Sequence, residues 1–245
     1  MNIYGLIGRS LGHSFSEKYF SEKFRRENIQ DCVYQNFEIK ELTETIPLLK
    51  SDSRIKGLNI TIPYKTEIIS FLDEKSEEVA SINACNCIKI SKGKWKGFNT
   101  DIIGFEKSFM PHLKSFHKRA LILGTGGASK AVEFVLQKLN IDYLQASRRR
   151  SDEKNIITYE DIAEKGLNNF QIVINTTPLG TFPKVDECPP LPYEQITNQH
   201  YFFDLIYNPP KTLFLSLAEK NGAVIENGSK MLEIQAEESW KIWNA

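Results

Sequence analysis

The chain has no uninterrupted apolar run near the roughly 20 residues that cross a bilayer, so no membrane-spanning helix is expected. It has only four cysteines in 245 residues, Cys32, Cys85, Cys87 and Cys188, and no Cys-x-x-Cys pair. Four is too few for a disulfide scaffold, and nothing near Cys85-x-Cys87 completes a tetrahedral set, so no metal is expected. Neither charge is in excess, with lysine plus arginine and aspartate plus glutamate at 31 each. Without a net field the chain draws neither nucleic acid nor an anionic membrane, and any anion must be captured by local groups. Nor is a basic and then apolar leader expected, since Met1-Asn2-Ile3-Tyr4 reads as the start of a strand. On these grounds the expected compartment is the cytoplasm.

What is present is an ordinary globular composition, 41% hydrophobic and 25% charged, sufficient for one large or two modest cores. The first hundred residues alternate strand-like and helix-like segments: Ile3 to Ile7, a helix after Ser16, Val33 to Phe37, a helix from Lys40, then Leu58 to Thr61. That alternation predicts a mostly parallel sheet covered by helices. Asn86 to Ile90 and Lys94 to Gly97, around Ser91-Lys92-Gly93, predict a hairpin, in which one of the alternating Cys85 and Cys87 faces a core. Asn99-Thr100-Asp101 reads as a helix N-cap, with Asp101 as a capping carboxylate. A second alternation starts at Ala120 to Leu123, with a helix from Ser129 to Leu139 and strands at Tyr143 to Ala146, Ile172 to Asn175, Phe202 to Leu205 and Ala223 to Glu226. Lys230 to Trp243 places Met231, Ile234, Glu238, Ile242 and Trp243 at near-helical spacing, which predicts an amphipathic helix.

The chemistry is concentrated in a few places. Leu121-Ile122-Leu123-Gly124-Thr125-Gly126-Gly127-Ala128-Ser129 runs from a buried strand through glycines into a helix, where backbone N–H groups and the helix dipole bind a pyrophosphate. Ser129 stands at the third position of the usual three-glycine spacing and is small enough for the helix to approach the strand. A site for NAD would offer an acid at the end of the next strand, but that end reads Ala146-Ser147-Arg148-Arg149-Arg150. Arginines there favour the 2′-phosphate of NADP(H), with a charge-assisted contact of about 1.5–3 kcal/mol. Arg148, nearest the strand, is the first candidate, and the sequence leaves open which of Arg148, Arg149 and Arg150 meets the 2′-phosphate. The alternative for the triplet is a solvated basic loop.

Five motifs in fixed order then point to one family. They are Gly8-Arg9-Ser10-Leu11-Gly12-His13-Ser14-Phe15-Ser16, Asn59-Ile60-Thr61-Ile62-Pro63-Tyr64-Lys65, Asn99-Thr100-Asp101-Ile102-Ile103-Gly104, Asn175-Thr176-Thr177-Pro178-Leu179-Gly180 and Met231-Leu232-Glu233-Ile234-Gln235-Ala236. The sequence resembles the shikimate dehydrogenase family. The resemblance implies an α/β fold: a substrate-binding catalytic domain (1–101 and 230–245) and a Rossmann-like NADP-binding domain (102–229), the C-terminal helix returning to the first domain. It implies that Ser14 and Ser16 bind the substrate carboxylate, that Thr61, Asn86, Asp101 and Gln235 bind ring hydroxyls, and that Tyr207 closes over the ring. Lys65 would be the acid and base for the ketone oxygen, oriented by Asp101. Gly124, Gly126, Gly127, Ala128, Ser147, Arg148 and Arg149 would bind the cofactor, with Leu205 and Gly228 beside its nicotinamide. The active site would be an interdomain cleft, and the reaction the reversible reduction of 3-dehydroshikimate to shikimate in the chorismate route to aromatic amino acids.

The chain departs from the family pattern at Glu17, at Asn83-Ala84-Cys85-Asn86-Cys87, at Thr181 where a methionine is common, and at Ser147-Arg148-Arg149. Asn59 and Asn175 read as structural amides, and Gly228 has a second reading as a plain turn glycine. Rival functions are a quinate dehydrogenase or an NAD-using relative, a catalytically idle metabolite sensor, and nucleic-acid binding through Lys114 to Arg119 and Arg148 to Arg150. The last lacks interleaved aromatics. A monomer or homodimer is expected.

Overall fold

In a computed structural model, residues 1–12, 14–151 and 155–245 are described; His13, within the first motif, lies outside them. The chain divides into two compact units: Met1–Thr100 with Gln235–Ala245, and Asp101–Ile234.

The first unit begins β1 (Asn2–Gly8), α1 (Phe15–Arg26), β2 (Cys32–Glu38), α2 (Leu42–Ser51) and β3 (Ile55–Ile60). It continues with β4 (Glu74–Lys75), α3 (Glu77–Ile82), β5 (Cys87–Ser91) and β6 (Lys94–Phe98). Its sheet has the order β2-β1-β3-β5-β6-β4. β1, β2 and β3 are parallel to one another, while β5 runs antiparallel to β3 and β6, as the predicted hairpin requires. Ser91 pairs with Lys94, so the turn is the two residues Lys92 (φ 52°) and Gly93 (φ 77°), the left-handed conformation that a tight hairpin needs.

Both faces of this sheet are covered. One core gathers Ile3, Ile7, Leu58, Ile88 and Trp95, the other Tyr4, Leu6, Phe20, Tyr34 and Trp243. Cys85 belongs to the first and Cys87 to the second, both fully buried. The expectation that one cysteine faces a core is therefore too modest: the sheet has no wet face beneath the hairpin.

The second unit holds α4 (Thr100–Phe109, from its second residue), β7 (Arg119–Leu123), α5 (Gly127–Lys138), β8 (Asp142–Ser147), β9 (Ile156–Thr158) and α6 (Tyr159–Lys165). It goes on through β10 (Ile172–Asn175), β11 (Tyr201–Asp204), α7 (Leu213–Lys220) and β12 (Val224–Glu226), and enters α8 (Ser229–Asn244), whose later residues belong to the first unit. The sheet is parallel throughout, in the order β12-β11-β10-β7-β8-β9. Ala120–Leu123 and Ile172–Ile174 are wholly buried, which explains why they read as unbroken apolar runs rather than alternating ones. The order reverses between β7 and β10, the place where open α/β sheets bind ligands.

Among the described residues, no helix is long and apolar enough to cross a membrane. Several starts differ from the sequence expectation. α1 begins at Phe15 with Ser14 as N-cap, α2 at Leu42, and α5 at Gly127 rather than Ser129. Asp101 is the second residue of α4, inside its first turn, so it is not the cap residue. On α8 the buried positions are Met231, Gln235, Ala236, Ser239 and Trp243, whereas Ile234, Glu238 and Ile242 are half-buried. The face turned inward thus carries two polar residues that an apolar count passes over.

Candidate active site

In the first unit the motif residues leave one edge of the sheet. Thr61 and Lys65 follow the C-terminal end of β3, and the segment carrying Ser14 follows β1. Asn86 precedes β5, which is antiparallel, so it returns to that edge: the Ile60 amide donates to its carbonyl at 2.9 Å, and its own amide donates to Phe98 at the end of β6 at 3.1 Å. The C-terminal ends of parallel strands, where ligands are presented, thus coincide with the loops the sequence singles out.

Ser14 caps α1, its Oγ accepting from the Glu17 amide at 3.3 Å. Ser16 is buried and hydrogen-bonds the Tyr34 hydroxyl, which itself donates to Asn59 Oδ1 at 2.9 Å. Burial pushes the Tyr34 phenol well up, so it stays neutral and can donate. Asn59 also donates from Nδ2 to the Asn86 carbonyl at 3.3 Å and to Ser239 Oγ at 2.9 Å, the structural use expected of it. Thr61 is half-buried and tied by its backbone to Ile7 and Tyr64, and Lys65 is half-buried, its carbonyl accepting from the Cys85 amide at 2.8 Å.

The Asn86 side chain is turned onto Thr100: Oδ1 accepts from the Thr100 amide at 2.6 Å, and Nδ2 donates to Thr100 Oγ1 at 3.1 Å. Thr100 Oγ1 lies 3.4 Å from Gln235 Oε1 and 3.2 Å from Ser239 Oγ. Asn59, Asn86, Thr100, Gln235 and Ser239 therefore form one buried polar cluster that seats α8. Asp101, the next residue along the chain after Thr100, is 9% exposed.

In the second unit, Gly124 takes φ 105° at the end of β7, and a Cβ there would meet Thr176 Oγ1 at 2.9 Å. The turn then opens. A Cβ on Gly126 or Gly127 would meet nothing within 4 Å, and no side chain caps α5 at Gly126. A helix start with open space around its glycines and no acid in its first turn fits a pyrophosphate. Ala128 continues that turn. Ser129 does more than spare room: its hydroxyl donates to the Gly126 carbonyl at 2.8 Å and accepts from Gln145 Nε2 at 3.2 Å, locking the turn to β8. Ser147 ends β8, and its Oγ accepts from the Arg149 amide at 3.3 Å. Arg148, Arg149 and Arg150 are all exposed, and Arg150 pairs with Asp161 at 3.5 Å.

Further along the same edge, Leu205 and Tyr207 follow β11, both half-buried, with burial raising the Tyr207 phenol. Gly228 donates its amide to the Ile206 carbonyl at 3.0 Å, and a Cβ on it would collide with the Leu205 carbonyl. What Gly228 lets approach is thus the protein's own backbone, a reason beyond both sequence readings of that glycine.

The family model for the shikimate dehydrogenase substrate binding domain matches residues 6–88. Over nearly the full length, the chain is 38% identical to the shikimate dehydrogenase (NADP(+)) of Caldicellulosiruptor saccharolyticus, covering 97% of this chain and 90% of that one. The chain belongs to the shikimate dehydrogenase family. Among solved structures of that family, a chorismate mutase/shikimate 5-dehydrogenase fusion from Clostridium acetobutylicum has a TM-score of 0.88 at 36% identity, covering all of this chain and 91% of that one. A shikimate dehydrogenase in complex with NADP+ has a TM-score of 0.84 at 32% identity, covering 99% and 90%. The α/β fold with a Rossmann-like unit, expected from sequence, is that of these family members.

For a member of the shikimate dehydrogenase family, the residues that sequence reasoning missed are Thr100 and Ser239. The Asn99-Thr100-Asp101 motif drew attention to its carboxylate, yet the fully buried threonine hydroxyl is the centre of the polar cluster. A signal existed for Ser239, four residues after Gln235 and so on the same helix face.

Proposed function

We infer that this chain is an NADPH-dependent oxidoreductase that reversibly reduces 3-dehydroshikimate to shikimate in the biosynthesis of aromatic amino acids. The observation that carries the reading is the near-full-length identity to an NADP-dependent shikimate dehydrogenase. The uncapped turn at Gly126 and Gly127, followed at the end of β8 by exposed Arg148 and Arg149, supports the choice of cofactor.

When bound, NADPH supplies the hydride for the ketone carbon. The chain's residues have the remaining tasks. Lys65 gives its proton to the ketone oxygen and takes it back in the reverse direction, and Asp101 orients the ammonium. Ser14 and Ser16 receive the substrate carboxylate at the start of α1, where the helix dipole welcomes negative charge. Thr61, Asn86 and Gln235 hold ring hydroxyls through a rim of hydrogen-bonding groups, so an analogue lacking one leaves a buried partner unmatched. Tyr207 shields the ring from water. Gly124, Gly126, Gly127 and Ala128 receive the pyrophosphate, Ser147 with Arg148 and Arg149 the 2′-phosphate, and Leu205 and Gly228 lie on the nicotinamide side. Arg150 is left out of this set because its guanidinium already faces Asp161.

We assign the functional domains as 1–101 with 230–245 for substrate and 102–229 for cofactor. The enzyme acts in the cytoplasm as a monomer or homodimer, and four cysteines in 245 residues with no Cys-x-x-Cys pair suit a reducing compartment. The deciding assay follows absorbance of the reduced nicotinamide while the protein is offered shikimate or quinate with NADP or NAD, beside Lys65→Ala. Expected is turnover with shikimate and NADP, reduced by about 10²–10⁴-fold in Lys65→Ala. Preference for quinate or NAD would reassign the substrate or cofactor, and tight binding without turnover would make the chain a sensor.

A further inference from the structure

The buried carboxylate of Asp204 is left unused by the chemistry above. It ends β11, is fully buried, and receives three donors. Asn175 Nδ2 donates to Oδ1 at 3.0 Å, the Ile206 amide to the same oxygen at 3.0 Å, and Thr212 Oγ1 to Oδ2 at 2.6 Å. An ionised carboxylate accepts on both oxygens, and such charge-assisted bonds are about twice as strong as neutral ones.

Each donor governs a different segment. Asn175 ends β10 and folds the next residues onto itself, its Oδ1 accepting from the Thr177 amide at 3.0 Å and the Thr177 hydroxyl at 2.7 Å. Ile206 lies in the segment that carries Leu205 and Tyr207, and Thr212 is the N-cap of α7. The two loops are laced again farther out, where the Phe182 amide donates to the Asn208 carbonyl at 3.1 Å. The topology shows what these loops face. The glycine turn follows β7 and the arginines follow β8, on one side of the reversal in strand order; β10 and β11 lie on the other. A dinucleotide with its pyrophosphate at that reversal and its adenosine over β8 must extend its second half over the loops after β10 and β11.

We propose that Asp204 is a positioning residue for hydride transfer: through Asn175 and Ile206 it fixes the loops after β10 and β11 in one arrangement, which aligns the nicotinamide half of the cofactor. This rests on the NADPH reading above. Asp204 touches neither substrate nor cofactor and acts through the loops alone. Burial raises its carboxyl to about 6, so at neutral pH it is still mainly the charged acceptor that all three donors require.

The test compares wild type, Asp204→Ala and Asp204→Asn in steady-state turnover of shikimate with NADP, alongside the Kd of 2′,5′-ADP, which carries only the adenosine half. Misaligning a reacting group by about 1 Å costs about a hundredfold, so Asp204→Ala should lower kcat/KM for NADP by about that factor. Its 2′,5′-ADP affinity should stay within about twofold of wild type, which a general loosening of the unit would not allow. Asp204→Asn keeps an acceptor for Asn175 and Ile206 while the Thr212 hydroxyl turns to accept, so the loss should recover to about tenfold. Should the alanine variant fail to fold, the asparagine variant decides alone. Turnover equal to wild type, or a parallel loss of 2′,5′-ADP binding, would overturn the proposal. Wild-type turnover in the same assay separates the two levels: without it the functional reading falls, and the proposal with it.

Discussion

Replacing Asp204 with asparagine should change how the stability of the second unit depends on pH. The carboxyl ordinarily titrates at 3.8, and burial raises it to about 6. The folded chain therefore keeps a proton that the unfolded chain gives up, and the associated stability is fully present only below the ordinary value and is lost as pH rises through 6. Each pH unit between the two values is worth about 1.4 kcal/mol, so the whole interval amounts to about 3 kcal/mol, most of it lost between about pH 4 and pH 6. Asparagine has no proton to lose. Relative to wild type, Asp204→Asn should therefore gain about 2.5 kcal/mol between pH 4 and pH 7.5. Urea unfolding at several pH values, followed by far-UV circular dichroism, measures the difference. Tryptophan emission supplies a control, because Trp95, Trp240 and Trp243 all lie in the first unit and report on it alone. Parallel stability curves for the two proteins from pH 4 to 7.5 would refute the argument, since they would mean that the folded carboxyl binds its proton no more tightly than the unfolded one.

Two further outcomes follow from the backbone. At Gly126 the φ of −88° suits any residue and a Cβ meets nothing within 4 Å, so Gly126→Val should fold normally yet fill the space offered to a pyrophosphate. Calorimetry should find NADP binding weakened by at least about tenfold with the thermal midpoint little changed; unaltered binding would place the phosphates elsewhere. At Gly57 a Cβ would intrude on the Trp243 indole, whose Nε1 donates to the Ile88 carbonyl at 3.0 Å. Gly57→Ala should displace that ring and lose about 1–3 kcal/mol in denaturant unfolding, the range for overpacking a filled core, with a red shift in tryptophan emission.

Legibility in the sequence followed the range of the interactions. The hairpin at Lys92-Gly93 and the glycine turn after Leu123 are set by a few adjacent residues, and their types could be read directly. The ends of β7 and β10 announced themselves because strands buried on both faces are apolar without interruption. Thr100 did not, since its partners lie 14, 135 and 139 residues away and only folding brings them together. The buried face of α8 was misjudged for the same reason: Gln235 and Ser239 are polar, and their burial makes sense only beside Asn59 and Thr100. The helices α6 and α7 passed unread, although Thr158 with Asp161 forms a capping box and Thr212 caps Leu215. Gly228 looked like a turn or a cofactor contact, whereas the backbone that crowds it belongs to Leu205, 23 positions earlier in the chain.

The chain's path through α8 has a consequence for biosynthesis. The first unit needs residues 235–245, including the Trp243 ring under which Gly57 sits, and these are translated after every residue of the second unit. Domains fold as units while the ribosome advances at about 5–20 residues per second. The second unit thus has its whole sequence available while β1, β2 and β3 still lack the part of α8 that joins α1 on one face of their sheet. During that interval Tyr4, Phe20 and Tyr34 lack Trp243, so the first hundred residues, though made first, are the part most exposed to premature association and the client a chaperone would hold.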